Sequence, residues 1–383
     1  MRLDLRSVLG FALSALLLWW TLRHEPLGTV ARVLAGSKLW LFALATITAT
    51  LVFPLRAIRW RPILDPVAPR LPFGPLWRAT AIGMMINNVV PARAGEFARA
   101  YALTREVPGV PLAAAFASLA VDRLFDAVVL LLLLFGAMLD PAFPVGTRVA
   151  GQPVAVLARG GIVGVAALLV LLYALVFFPA RIIGAYEFVA RRVSPRLEAL
   201  GRDALRNFAD GLGVLRHPGR FALVFAWTLA HWLVHALAFH LGFRAVGIEA
   251  PFSAALFLQG LIAIAVALPS SPGFFGVFEG AAKVGLAVYL VPPTLAVSWA
   301  LGYHLLTFVP ITVIGGIYFA RLGLRLGEVS RASQDASSDA AASDAAGGGR
   351  SDGRGAAPAV PGDAGAATPV LVPDAPRRAE GAG

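Results

Sequence analysis

Runs of about twenty apolar residues recur along this chain, at roughly 8–22, 38–58, 112–139, 160–178, 221–241 and 294–319. A helix of about 20 residues crosses the roughly 30 Å hydrocarbon layer of a bilayer. Inside that layer only helices and closed barrels satisfy their own backbone hydrogen bonds. Runs of this length and spacing therefore point to a bundle of membrane-crossing helices, although the first run is short by that standard. Two further apolar stretches, about 74–105 and 252–290, are interrupted in the middle. The expected fold is an all-α polytopic integral membrane protein, with about six to eight transmembrane helices plus two broken or re-entrant helical segments. Composition agrees, with 58% hydrophobic and 14% charged residues, against about 45–50% and 25% in soluble domains. The mean hydropathy is +0.74. Cytosolic enzymes, nucleic-acid binders and disordered scaffolds fit such a chain poorly.

The net charge of +11 is explained by where it lies. Residues 1–327 carry 28 basic against 14 acidic side chains, whereas the remainder carries 5 against 8. The basic excess sits in short loops, where it holds them on the cytoplasmic side. One such loop holds Arg56, Arg59, Arg61, Arg70 and Arg78. Another, 181–220, holds Arg181, Arg191, Arg192, Arg196, Arg202, Arg206, Arg216 and Arg220. Both termini then fall in the cytoplasm, and the N-terminal run, with no small-residue cleavage site, reads as an uncleaved helix. Residues 181–216 show apolar positions every three or four residues, which fits amphipathic helices on the cytoplasmic membrane face. A plain helical hairpin fits the same pattern. The expected domains are a membrane domain, 1–327, and an Ala/Gly/Ser/Asp/Pro-rich tail, 328–383, whose composition predicts cytoplasmic disorder.

The interruptions carry the chemistry. In Asn87–Tyr101, Pro91 ends one helix and Gly95 permits close backbone approach. A new helix is expected from about Ala94, with Arg93, Glu96 and Arg99 around its first turn. Free amides at a helix start attract anions, and arginines reinforce them. Asn87 and Asn88 are placed to satisfy backbone groups freed by the break. Mutual pairing of Arg93, Glu96 and Arg99 fits the same spacing. In Leu268–Gly285, Pro269 ends an apolar run, Ser271 is a candidate cap and Pro272 a first helical residue. Glu279 and Lys283, four residues apart, are expected to pair. Pro272 and Gly276 repeat the spacing of Pro91 and Gly95, and broken helices in corresponding halves point to an inverted-repeat transporter with a midplane site.

Asp122, Arg123 and Asp126 fall inside the span that ends near Leu139. Charges there cost about 2.5–3.5 kcal/mol each on insertion scales, so they call for partners. Arg123 is one, and Arg93 or Arg99 another. A purely structural ion pair is the competing account. His231 and His235 have zinc-compatible spacing, but the ligand set is incomplete and there is no cysteine. Interhelical hydrogen bonding is the expected role of these histidines, with no metal and no cofactor. No triad, phosphate loop or dinucleotide fingerprint is present.

Three elements occur in order: N-x-x-P-A-R-x-G-E-x-x-R-A at Asn88–Ala100, D-R-x-x-D at Asp122–Asp126, and P-x-x-P-G-x-x-G-x-x-E at Pro269–Glu279. Together they resemble the lysylphosphatidylglycerol synthase transmembrane (flippase-like) family, also called UPF0104, over about residues 5–325. The resemblance implies an all-helical protein of the bacterial inner membrane that handles polar lipids. Relatives are fused to a cytosolic aminoacyl-transferase domain, or are linked to polyprenyl-lipid glycosylation or hopanoids. Here 57 residues follow Leu326 and read as disordered, so that domain is expected to be absent and lysyl transfer is not implied.

The sequence thus suggests a flippase-like protein that binds and translocates a phospho- or polyprenyl-lipid. Arg93, Arg99 and Arg123 would contact a headgroup phosphate. Glu96, Asp122, Asp126 and Glu279 would orient them or meet a cationic headgroup, and Asn88, Ser271 and Lys283 complete the set. The alternatives are an intramembrane transferase on a lipid-linked substrate and a non-catalytic partner of a lipid-modifying enzyme. Membrane lipids, anionic or phosphate-bearing, are the expected partners, with no nucleic acid.

Overall fold

The computed structural model describes residues 5–90, 94–144, 148–149, 152–190, 192, 217–267 and 271–328. The chain divides into two units, Met1–Arg331 and Ala332–Gly383. The architecture below is that of the first. The expected tail, most of the amphipathic segment, and Pro91, Arg93 and Pro269 lie outside the described residues.

Every apolar run is helical. The elements are α1 (Leu5–Leu22), α2 (Leu27–Ala35), α3 (Leu39–Leu64), α4 (Phe73–Val89), α5 (Gly95–Glu106), α6 (Leu112–Ala137), α7 (Val154–Phe177), α8 (Pro179–Ala190), α9 (Pro218–Ala245), α10 (Phe252–Ala265), α11 (Val277–Val288) and α12 (Pro293–Arg321). Among the described residues the sole β pairing is a two-residue antiparallel contact, Arg148–Val149 with Gln152–Pro153. Prolines punctuate the helix starts. Pro26, Pro72, Pro111 and Pro251 stand in extended geometry just before α2, α4, α6 and α10. There the missing amide costs nothing, because the first helical amides lack intrahelical partners anyway.

Three helices, α3, α9 and α12, are long and apolar enough to cross a membrane. At 26 and 24 residues, α6 and α7 rise about 39 and 36 Å. The core is aromatic where α9 meets α12, with Trp299 buried among Phe239, Phe243 and Tyr303 at ring-centroid distances of 4.9–5.2 Å. The protein is an all-α polytopic membrane protein, as the apolar runs imply.

Helix α3 departs from expectation. It continues through Pro54 and Pro62 to Leu64, beyond the expected end near residue 58. Arg56 and Arg59 are therefore buried helical residues and not members of a cytoplasmic loop. Each proline removes one backbone donor, but the two arginines meet carboxylates on α6, and that pairing draws the helix end inward.

Both interrupted stretches form pairs of short helices. With 17, 12, 14 and 12 residues, α4, α5, α10 and α11 rise about 25, 18, 21 and 18 Å, each less than the roughly 30 Å core. At the first break Asn87 Oδ1 accepts a hydrogen bond from the Gly95 amide at 2.9 Å, the role expected of it. Asn88 instead donates to Thr312 Oγ1 of α12 at 2.7 Å. Gly95 is there for contact: a Cβ would collide with the Gly83 carbonyl oxygen and lie 2.5 Å from the Asn87 carboxamide. Gly95→Ala is expected to cost about 1–3 kcal/mol through forced separation of α4 and α5, read as a lower thermal midpoint in detergent. An unchanged midpoint would contradict this packing.

At the second break Ser271 does not cap with its side chain. Pro272–Phe274 makes one 3-10 turn, then Gly273 (φ 67°), Phe274 (φ 62°) and Gly276 (φ 83°) reverse the backbone. Helix α11 starts after Gly276, and the Glu279 side chain accepts the Gly276 amide at 2.6 Å. Capping thus passes from Ser271 to Glu279, because positive φ at three of four residues prevents a continuous helix from Pro272. The Ser271 amide instead donates to Ser14 Oγ of α1 at 2.8 Å. Helix α4 packs on the 3-10 turn and α1 on α11, so the two breaks face each other.

Candidate functional site

The centre is an ion cluster shared by α3, α5 and α6. Asp122 and Asp126 lie one turn apart on α6 and are 1% and 3% exposed. Arg59 spans them, with Nη2 2.5 Å from Asp122 Oδ1 and Nη1 2.5 Å from Asp126 Oδ1. Arg99 Nη1 approaches Asp122 Oδ2 at 3.2 Å, and its guanidinium lies 4.1 Å from the Trp60 ring centroid. Trp60 is held by its own hydrogen bond to Ser118 Oγ, 2.8 Å. On α9, Trp232 Nε1 donates to Asp126 Oδ1 at 2.9 Å. Arg123 pairs with Glu96 and sits 3.5 Å from Asp126 Oδ2. The expected Arg99–Asp122 and Arg123–Asp126 contacts are present. The alternative of mutual pairing between Glu96 and Arg99 is replaced by their separate carboxylate and guanidinium partners on α6.

Arg56 completes the cluster on looser terms. Its Nη2 is 3.7 Å from Asp122 and 3.6 Å from Asp126, and its buried Nε and Nη2 have no hydrogen-bond partner. Among the described residues the cluster holds four guanidiniums (Arg56, Arg59, Arg99, Arg123) and three carboxylates (Glu96, Asp122, Asp126). One positive charge is in excess, and buried charge without a counter-charge is costly.

Arg56 faces a cavity of about 630 Å³. Its walls are mainly apolar, and Arg56, Arg123, Asp126 and Asn88 supply charge and polarity where they reach it. His231, Trp232, His235 and Gln259 continue the polar line, and His304 and Gly273 bring it to the second break. His235 Nδ1 lies 3.3 Å from Gln259 Oε1, an interhelical contact of the expected kind. Of the residues singled out from sequence, Asn88, Arg123 and Asp126 line the cavity. Glu96, Arg99 and Asp122 stand behind it, and Arg93 lies outside the described residues. Ser271 and Glu279 belong to the second break.

The expected Glu279–Lys283 pair does not form. Glu279, in the first turn of α11, takes the Gly276 amide and His304 Nδ1 at 2.7 Å. Lys283, one turn on, points to the α1–α2 loop, meeting Glu25 Oε1 at 2.8 Å and the Thr21 carbonyl at 2.9 Å. It is therefore absent from the cavity lining. Partial burial opposes ionisation of Glu25, but hydrogen bonds from Lys283 and Thr294 and the lysine charge outweigh it, holding the carboxyl below its ordinary 4.5. A depressed folded-state value stabilises the fold above the unfolded value and is lost as pH falls through the folded one. The thermal midpoint is expected to drop below about pH 4.5 by less in Glu25→Gln than in the unaltered protein. Equal acid sensitivity would show that this pair carries no part of it.

Sequence reasoning missed Arg56, Arg59, Trp60, Trp232 and His304. Two arginines three residues apart immediately after an apolar run were a usable signal, given two intramembrane aspartates in need of partners. The tryptophans and His304 offered none.

The chain matches the family described as the lysylphosphatidylglycerol synthase TM region over residues 7–315. It is 30% identical over 364 residues to a protein named glycosyltransferase AglD from Haloferax volcanii, covering 82% of this chain and 58% of that protein. Two proteins from Methanothermobacter thermautotrophicus, each named UPF0104 membrane protein, are 25% and 26% identical over 343 and 324 residues. Those matches cover 82% and 80% of this chain and 93% and 91% of the relatives. No solved structure matches. With the three sequence elements gathered around one cavity and the match running through nearly all the described helices, the chain belongs to the family of the lysylphosphatidylglycerol synthase transmembrane region.

Proposed function

We propose that this protein binds a polar lipid carrying a phosphate and moves it between the leaflets of the membrane it spans. In this reading that membrane is the bacterial plasma membrane and both termini are cytoplasmic. The observation that carries it is Arg56: a buried guanidinium with unpartnered donors and no full counter-charge, facing a largely apolar cavity. A phosphate oxygen would take those donors, and guanidinium matches phosphate geometry. The apolar walls would accept the first part of a hydrocarbon chain. Arg123 and Asn88 would share the headgroup. Arg59, Arg99, Asp122 and Glu96 would act as supports that hold the contacting arginines. The test is reconstitution into vesicles with headgroup accessibility as readout. Accelerated exchange of an anionic phospholipid between leaflets is expected, and failure to accelerate any anionic or polyprenyl phospholipid overturns the reading.

A second reading draws on the relative named a glycosyltransferase: an intramembrane transferase acting on a lipid-linked substrate. That name belongs to a protein of which this chain covers 58%. Turnover by purified protein that disappears in Asp126→Asn and persists in Arg93→Gln would favour it.

A further inference from the structure

The second break carries a titratable pair that the ion cluster does not use. We propose that Glu279 and His304 form a proton-binding site on the cavity wall, coupling lipid movement to uptake and release of a proton; this rests on the transport reading above.

Glu279 is fully buried and both its oxygens are committed. Oε2 accepts the Gly276 amide at 2.6 Å, and Oε1 lies 2.7 Å from His304 Nδ1. An ionised carboxylate only accepts hydrogen bonds, so the Nδ1 proton is fixed by the network and Nε2 is the atom free to gain or lose one. His304 lines the cavity, whereas Glu279 does not. With Nε2 bare, the pair holds one buried negative charge, offset only by the amides that open α11. With Nε2 protonated, the pair is a neutral ion pair. One proton from the cavity side therefore switches the local charge by one unit.

The ring is held for this. Phe275 stacks on it with centroids 4.5 Å apart and 25° between planes, and Phe278 lies 4.5 Å away at 38°. Aromatic faces accept an imidazolium as well as a neutral ring. Other charged groups nearby are committed elsewhere. On α11, Lys283 is engaged with Glu25 and Thr21. From α1 come Ser14 and Thr21, from α9 His235 with Gln259 of α10, and from α12 Tyr303 and Thr307. The remaining cavity charges are Arg56, Arg123 and Asp126. Among the described residues Glu279 is the one acid paired with His304.

The coupling follows from linkage. A phosphate that reaches the second break favours the protonated imidazole, and the protonated imidazole favours the phosphate, by the same factor. Deprotonation then releases the lipid.

The experiment uses the full chain in phosphatidylcholine vesicles with a small fraction of fluorescent phosphatidylglycerol. Exchange is followed between about pH 5 and 8, the range in which imidazoles titrate. The unaltered protein is expected to change its rate about tenfold across that range, while Glu279→Gln and His304→Gln are slower and vary less than about twofold. A pH dye trapped in vesicles of unaltered protein is expected to report proton movement when the anionic lipid is added outside. This arm does not depend on how well the variants fold. A flat profile in the unaltered protein, a retained profile in the variants, or lipid exchange without proton movement overturns the coupling and leaves the transport reading standing. No exchange at any pH overturns both.

Discussion

Replacing Arg59 by Met is expected to lower the stability of the protein by about 3–5 kcal/mol, the cost of leaving buried charge without its partner. Arg59 is fully buried and holds an oxygen of Asp122 and of Asp126, each at 2.5 Å. Its removal leaves two carboxylates against Arg99 on one and the more distant Arg56. The effect is read as the thermal midpoint in detergent. Arg59→Met combined with Asp126→Asn should recover part of the loss, because the amide keeps an acceptor for Trp232 Nε1 without the charge. That recovery is a double-mutant coupling between residues in contact. Two additive losses would mean that the arginine stabilises by packing alone.

Arg56→Gln is expected to do the opposite: spare the fold and remove transport. Without Arg56 the described cluster holds three guanidiniums and three carboxylates, so the buried charge balances and the thermal midpoint should hold or rise. The lost contact is a charge-assisted hydrogen bond to phosphate of about 1.5–3 kcal/mol, which corresponds to roughly a ten- to hundredfold slower exchange of anionic phospholipid. Tolerance of an unpaired charge for the sake of function is a familiar trade between stability and activity. An unchanged exchange rate, or a midpoint drop as large as that of Arg59→Met, would remove Arg56 from the headgroup site.

The contrast between these neighbours explains what sequence could reveal. Apolar runs announce membrane helices because the bilayer leaves few alternatives, and α3, α6, α9 and α12 lie where hydropathy puts them. Asp122 and Asp126 are conspicuous because charge inside such a run is expensive. Their partners are harder to find. An arginine near the end of a run reads as a loop residue by the same rule that orients loops, and Arg56 and Arg59 are indistinguishable from Arg61 until α6 is placed beside α3. Glu279 and Lys283 have ideal pairing distance along a helix, yet each is captured by a residue far away in sequence. Local spacing states which pairs are able to form; the packing of α1, α11 and α12 decides which do.

That packing also bears on the order of assembly. Ser14 receives the Ser271 amide, Thr21 receives Lys283, and Glu25 receives Thr294, so the first helix is closed by residues some 257–269 positions later. Contacts so distant in sequence form late, since the loop between them must close first. A chain emerging from the ribosome therefore inserts α1 long before the partner that completes it exists. Until α11 arrives, Ser14, Thr21 and Glu25 remain without these partners, and the second break has no lid of backbone to close against. Release of a chain stopped short of α11 would leave α1 inserted and unfinished, a natural mark for membrane quality control.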